Sequence, residues 1–499
     1  MLIYQPSRIR LGWRNKYKRR FYMLSKAKRI FAAAMSLVLV FSLAGCTRVV
    51  YEGSSAEIEY VTNQVYVDGE TTNDTNQGGS TNNTQQSNNN NKKPTSSSNK
   101  GNTINKGVNP ADYKGKTIKF AATIDPAVDE SGPVVKAFEE KYGIKVEVVQ
   151  SDQGNYANQL SGWIAAGQAP DVARSNGDFP MAMAYLQNLD AAKLDYNEEI
   201  WNKKTFEITK FGGSPYLCDT VGNIWAEIDI VIYSKSLLKR ANCYTPEEYD
   251  KQGKWTWEAY FDIARKVKAT SGSEWGCSFM SRDNAMHAMG ATVFKLENGV
   301  FTNGLKNDKA LAAMTKFANA WKEGLISWDA VGEFEQGKIG ITTMHAWALK
   351  KTGFFKDGNY DDIGFYYIPR NTADSDYGCT GMLRGWGICK GANEPVAAGI
   401  FLREYLDVSN YDTTATFISE AAETFFFNVT SIDYTNWNPY FTYCDYTQEL
   451  AGFNYMNDMW TVMGNDPAQI APKLSSINDL VDKGCENFNE FTKKNTGLR

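Results

Sequence analysis

The feature that most constrains this chain is a switch in apolar period that repeats from residue 117 onward. Residues 117–124 (TIKFAATI) read as a strand, with Ile118 and Phe120 on one face. Residues 133–142 read as a helix: Pro133 suits a first turn, Val134, Phe138 and Tyr142 share a face, and Gly143 ends it. Residues 145–150 alternate again around Val146 and Val148. Residues 155–166 return to helical spacing through Tyr156, Leu160, Trp163 and Ile164, before Val172 opens another strand. Strand, helix, strand, helix, strand at this spacing predicts right-handed βαβ units and a parallel sheet covered on both faces, hence an α/β fold. In such sheets ligands sit beyond the carboxyl ends of the strands. Three loops are thereby nominated: the one around Asp125, the one after Val149, and residues 174–178.

Farther along, helices dominate. Thr256 reads as an N-cap, followed by Trp257, Tyr260, Phe261, Ala264 and Val267 at helical spacing. Residues 310–322 and 395–406 repeat that pattern, and residues 338–344 and 362–368 read as strands. Trp163, Trp257 and Trp321 lie on the apolar helical faces and belong to the core on this pattern.

The two ends of the charge distribution differ. Residues 1–45 carry ten Lys or Arg and no Asp or Glu, which leaves 43 basic against 57 acidic side chains beyond them. A body this acidic is poorly suited to nucleic acid or anionic lipid, so neither is expected as a partner. Residues 30–43 form an apolar run of fourteen, where a bilayer span needs ~20. Lys26, Lys28 and Arg29 precede it and Leu43-Ala44-Gly45-Cys46 follows, which describes a secretory signal over 1–45. The Leu-Ala-Gly-Cys sequence resembles the bacterial lipobox, implying diacylglycerol on the Cys46 thiol and a stable two-chain anchor. Met23 to Cys46 already forms a complete signal of this kind, which allows Met23 as the true start. Residues 71–103 contain no aliphatic, aromatic or Met side chain and cannot offset their ordering entropy. Residues 46–112 therefore read as a disordered tether; its ~65 residues up to Pro110 reach roughly 45 Å.

Enzyme motifs fail where they are testable. Residues 332–338 (GEFEQGK) fit a phosphate loop until Ile339 takes the place of the Ser or Thr that binds Mg²⁺. Gly385-Trp386-Gly387 lacks the third glycine of a dinucleotide turn, and neither G-x-S-x-G nor H-E-x-x-H occurs. Only His287 and His345 are present, so no multi-histidine metal centre can form, and no cofactor is expected. Beside Cys46 stand seven cysteines, an odd number with no C-x-x-C, which indicates buried apolar thiols rather than a disulfide scaffold.

Four stretches, in order, resemble the extracellular solute-binding proteins of ABC importers, in the sugar-binding group that includes maltose-binding protein. They are Asp125 with the helix ending Phe138-Glu139-Glu140-Lys141-Tyr142-Gly143; Gln168-Ala169-Pro170-Asp171-Val172 leading to Asp178; residues 222–238 with Tyr233-Ser234-Lys235; and Phe334-Glu335-Gln336-Gly337-Lys338 followed by Ala346-Trp347-Ala348. Residues 382–390 and the Glu394-Pro395 helix complete a likeness that spans 113–406. The resemblance implies two α/β lobes with a cleft between them, joined by hinge crossovers near residues 225–229 and 383–386. One lobe would hold 113–226 and 385–440, the other 227–384 and 441–499.

A pyranose offers hydroxyls at its rim and an apolar face, so carboxylates, amides and Arg are wanted together with flat aromatic side chains. The resemblance places Asp125, Asp178 and Glu227 as hydroxyl-binding carboxylates and Trp347 as a stacking ring. Arg174, Asn176, Trp225, Arg384 and Trp386 join them by position in the same loops. The two arginines fit either an anionic sugar or internal salt bridges, and His345 fits a structural role. The aromatic segment 411–454 fits either cleft lining or core. The expected function is a monomeric, non-enzymatic lipoprotein on the outer face of a bacterial, Gram-positive membrane, delivering a carbohydrate to permease subunits. The alternatives are the same fold with a non-sugar solute and a tethered glycoside hydrolase.

Overall fold

The computed structural model describes residues 107–497 except 124–125, 127–129, 153–154, 271–272, 281–285, 328–331, 352–359, 374–378, 414–415, 432–436, 442–448 and 453–466. The signal, Cys46, residues 46–106 of the tether and Asp125 lie outside the described residues. Residues 107–112, expected to belong to the disordered tether, are ordered instead: Val108 is buried and a 3-10 turn runs over Pro110–Tyr113, so the folded body begins before residue 113.

The alternating segment folds as its periods require. β1 (Thr117–Ala122) is followed by α1 (Gly132–Tyr142), which starts on Pro133 and stops on Gly143. That glycine sits at φ 65°, a left-handed conformation that closes helices at little cost only without a Cβ. β2 (Lys145–Gln150), α2 (Tyr156–Ala165), β3 (Val172–Ser175) and the short β4 (Leu186–Gln187) complete this part. The chain then crosses through residues 224–228 to β5 (Asp229–Ser234), buried at all six positions. Next come α3 (Trp257–Ala269), β6 (Cys277–Phe279), α4 (Asp308–Lys322), β7 (Ile326–Ser327), β8 (Ile341–His345), β9 (Ile363–Tyr367) and β10 (Cys379–Met382). It returns through Leu383 and Arg384 to β11 (Gly385–Cys389) and α5 (Pro395–Leu406). The chain ends with α6 (Glu420–Ser431), β12 (Trp437–Tyr440) and the long α7 (Ile470–Thr496).

Two five-stranded sheets result, in the orders β2-β1-β3-β11-β4 and β7-β6-β8-β5-β9. β1 pairs in parallel with β2 over six residues and also with β3. The sheets are not purely parallel, as the sequence pattern predicted. β11 runs antiparallel to β3 and β4, and β5 runs antiparallel to β8 and β9. Both exceptions are strands that arrive by a crossover from the other sheet, outside any βαβ unit, so the handedness rule does not fix their direction.

The expected lobe boundary at residue 440 also moves. Residues 417–431 and 437–440, assigned to the first lobe, make contacts with the second. Phe425 of α6 meets Phe365 and Tyr367 of β9 at 5.2 and 5.0 Å between ring centroids, and β12 pairs with β10. Of the aromatic segment, Phe426, Trp437, Tyr440 and Phe441 are buried, so its described part is core. Trp257 is fully buried, while Trp163 and Trp321 are partly buried against the same core. Six cysteines fall among the described residues and all are free; five of them are buried, and Cys444 lies outside.

At the crossing point the two connections touch. Ile228 bridges to Gly381, and the Met382 N–H donates to the Glu227 carbonyl at 3.1 Å. A Cβ on Gly381 would lie 2.1 Å from that same carbonyl oxygen. Gly381→Ala is therefore expected to cost about 1–3 kcal/mol, the range for forcing extra volume into packed structure. Urea denaturation of the variant checks this, and an unchanged midpoint would mean that the crossing gives way freely.

Candidate functional site

The carboxyl ends of β1 and β3 face a narrow pocket lined by Thr123, Tyr156, Arg174, Asn176, Trp225 and Trp386, among others. Its volume is about 60 Å³, several times the room for one ordered water and far below that of whole-ligand pockets. It has room for one small chemical group and not for a whole ligand. The rings around it are fixed from behind. Trp225 stacks on Tyr405 of α5 at 5.3 Å and 9°, with Tyr411 edge-on at 5.3 Å. Trp386 is 5% exposed, packs on Phe120 and Tyr405, and presents a face to the Arg174 guanidinium at 5.8 Å. The backbone N–H of Arg174 donates to the Tyr156 hydroxyl at 2.8 Å, so α2 holds the end of β3.

A crevice lined by Arg174, Trp225, Glu227, Arg384 and Trp386 adjoins this pocket. There the two crossovers meet a buried charge cluster. Arg384 Nη1 lies 2.6 Å from Glu227 Oε1. His345 bridges two acids, with Nε2 at 3.1 Å from Glu227 Oε2 and Nδ1 at 2.8 Å from Asp229 Oδ1. The pairing of β5 with β8 sets Asp229 opposite His345. Burial pushes the Glu227 carboxyl up, but Arg384, His345, Arg174 and a hydrogen bond from the Trp347 side chain outweigh it, so its pKa falls below the ordinary value. Burial alone would pull the His345 imidazolium down; Glu227 and Asp229 more than offset it and raise its pKa. Trp347, half-buried in the turn after β8, is oriented by the same carboxylate.

The predicted residues separate into three groups. Arg174, Asn176, Trp225 and Trp386 surround the pocket, and Glu227, Arg384 and Trp347 meet in the adjoining cluster. Asp178 belongs to neither. It is 2% exposed, and its oxygens accept from the Ser175 hydroxyl at 2.9 Å, the Asn176 amide at 3.1 Å and the Tyr185 hydroxyl at 2.7 Å. This carboxylate shapes the turn after β3, and burial still leaves its pKa raised despite those bonds. Asp125 lies outside the described residues. Sequence reasoning missed Asp229, Tyr156, Tyr405 and Tyr411 as supports; Tyr156 appeared only as part of a helical face, and Tyr405 only within the helix over 395–406. His345 has the structural place expected of it, 1% exposed.

A larger cavity of about 1010 Å³ is lined by Phe211, Trp437, Phe441 and residues of α7, and shares no lining residue with the pocket. Two of its lysines are already neutralised, Lys204 by Glu207 and Lys295 by Glu297. Among the described residues no group of three or more His, Cys, Asp or Glu is placed to hold a metal ion. No described helix is long and apolar enough to cross a membrane.

Residues 134–422, more than half of the chain, match the family model of bacterial extracellular solute-binding proteins. The chain belongs to this family. No curated protein matches the sequence of this solute-binding protein. Solved structures do. The GacH receptor of Streptomyces glaucescens, determined unliganded and with acarbose and an acarbose homolog, is 16% identical with a TM-score of 0.50. The match covers 77% of this chain and 99% of that one. The cyclic α-maltosyl-1,6-maltose binding protein of Arthrobacter globiformis is 13% identical with a TM-score of 0.54, covering 76% and 99%. At these identities the likeness is one of fold, and the solute-binding protein shares the two-lobe architecture in which paired crossovers run between the lobes.

Proposed function

We propose that the solute-binding protein captures a carbohydrate outside the cell and delivers it to the permease of an ABC importer, held at the membrane by lipid on Cys46 and the tether over 46–112. The observation that carries the carbohydrate reading is the meeting of flat aromatic faces with buried charged hydrogen-bonding groups at the crossovers. Trp225 and Trp347 supply the faces, with Trp386 buried behind Arg174; Arg174, Asn176, Glu227 and Arg384 supply the polar partners. Bonds to charged groups are the stronger ones, and aromatic rings cover the apolar face of a pyranose. The solutes for which the two structural neighbours are named, acarbose and cyclic α-maltosyl-1,6-maltose, are of the same chemical class. Solute bound against both lobes would favour the closed state by its additional contacts there. No catalytic step is assigned, and the protein is read as a monomer without cofactor.

Thermal unfolding across mono- and oligosaccharides tests this, with product analysis of any hit. A ligand at a hundred times its Kd adds about 2.7 kcal/mol. A shift with intact sugar supports capture; cleavage products would make the protein a hydrolase, and no shift across a broad panel would point to a non-sugar solute. For a sugar that binds, Trp347→Ala is expected to weaken affinity roughly 10- to 100-fold, as for a central aromatic anchor. Trp347→Phe, which keeps a flat face, should lose much less. Equal losses in the two variants would assign Trp347 to packing alone.

A further inference from the structure

Four half-buried arginines occur among the described residues: Arg174, Arg370, Arg384 and Arg403. Three have a carboxylate within ion-pair distance. Arg370 lies 3.4 Å from Asp250, Arg384 lies 2.6 Å from Glu227, and Arg403 lies 3.1 Å from both Glu198 and Glu404. Arg174 has none among the described residues. Among the described residues its guanidinium makes one hydrogen bond, from Nη2 to the Trp225 carbonyl and long at 3.4 Å, while its buried Nε has no partner. A guanidinium removed from water without a matching anion is unfavourable. Two features aggravate the imbalance. Burial and the nearby Arg384 pull the Arg174 pKa down to about 10, against attraction from Glu227 and Asp219. Neither acid is free to turn toward it: Glu227 is held by Arg384 and His345, and Asp219 accepts from the Thr220 amide and the Asn223 side chain. Arg174 remains charged at neutral pH and borders the pocket that admits one functional group.

We propose that the solute carries an acidic substituent, a sugar carboxylate or sulfate, whose oxygens dock on the Arg174 guanidinium in the pocket between Asn176, Trp225 and Trp386. This rests on the carbohydrate reading and deepens it. A planar guanidinium takes two oxygens of such a group side by side, and Trp386 holds it by its face, leaving its edge for the anion. The Asn176 side chain borders the same space and supplies a neutral donor. Arg384 does not compete for the acid, because Glu227 occupies it.

The test is calorimetry on the full-length protein in detergent micelles. The probes are uronate trisaccharides and their neutral methyl esters on gluco and galacto backbones, with sulfated trisaccharides as a separate arm. At least one acidic sugar is expected to bind about tenfold or more tightly than its neutral counterpart. That preference should fall below roughly threefold in Arg174→Gln and persist in part in Arg174→Lys. The uronate and sulfate arms identify which acid is recognised. In the wild-type protein, added salt should weaken the acidic sugar and leave the neutral one unchanged, a readout independent of whether the variants fold. Neutral sugars binding as tightly as acidic ones would overturn the inference and leave carbohydrate capture standing. An acid preference untouched by Arg174→Gln in a folded variant would also overturn it. Binding of no sugar at all by the folded protein would overturn the carbohydrate reading and this inference together.

Discussion

Glu227→Leu is expected to lower the stability of the protein by about 3–5 kcal/mol, the usual cost of removing one partner from a buried ion pair. The carboxylate is 5% exposed and holds Arg384 on one oxygen and His345 on the other. Leucine restores apolar volume but strands the Arg384 guanidinium in the crevice where both crossovers pass. The loss therefore comes from the charge left behind more than from the pair itself. This has a specific consequence for a double variant. Glu227→Leu combined with Arg384→Met removes both charges, and the pair should recover much of what the single change lost, because buried ion pairs gain little over well-packed apolar side chains. Urea denaturation of the four members of this cycle, followed by tryptophan fluorescence, measures the coupling. Additive losses would mean that Glu227 and Arg384 do not act as a pair. Sugar binding should not recover in the double variant, since Trp347 loses the carboxylate that orients it.

The same cluster should give the protein a stability maximum on the acid side of neutral. The pKa of Glu227 is depressed in the folded state, so its contribution is present above the ordinary carboxylate value and is lost as pH falls through the folded value. His345 has the opposite sign. Its folded pKa is raised above the ordinary histidine value, so its contribution is complete below about pH 6.5 and is lost as pH rises through the folded value. Every group packed on the imidazole favours that reading except one: Glu227 and Asp229 stabilise its charge, and Arg384 opposes it. Denaturation between about pH 5 and pH 9 should show stability falling at the alkaline end. His345→Gln should flatten that limb while leaving the acid limb in place. A wild-type curve parallel to the His345→Gln curve across the alkaline range would show that the ring is neutral in the folded protein.

The opening elements were legible because each is local. A period of two or 3.6 over six to twelve residues decides them, and Pro133 and Gly143 punctuate one helix at both ends. The antiparallel β5 and β11 were not, because strand direction after a crossover depends on where the chain returns, which no local period encodes. The charge cluster was hidden for a similar reason. Asp229 and His345 become neighbours only through the register of β5 against β8, so the sequence presents an isolated acid and a lone histidine. Asp178 shows the reverse failure. An acid in the right loop looked available to a ligand, yet Ser175 and Asn176 immediately before it supply the donors of a self-contained turn, a signal that was present in the sequence. The placement of α6 was lost because its phenylalanines read equally well as cleft lining or as core. Only their pairing with β9 decides between the two.

The long helix α7 is fastened at two places along its length to different parts of the molecule. Near its middle, Asp482 pairs with Lys306 and Asn489 exchanges two hydrogen bonds with Phe301, on the side of the second sheet. At its carboxyl end, Asn495 accepts from Lys390 and Tyr216, which belong to the first. With 27 residues at ~1.5 Å each it is a rod roughly 40 Å long. Between the same two parts, Phe179, Phe211, Phe301 and Phe441 meet ring to ring in succession, tilted, stacked and edge-on in turn. One stiff helix held at its middle and its carboxyl end, and backed by packed rings, ties the two parts together. Any motion of the two parts about the crossovers must flex this helix or slide one of its fastenings, so the stiffness of a single helix sets part of the cost of such a motion.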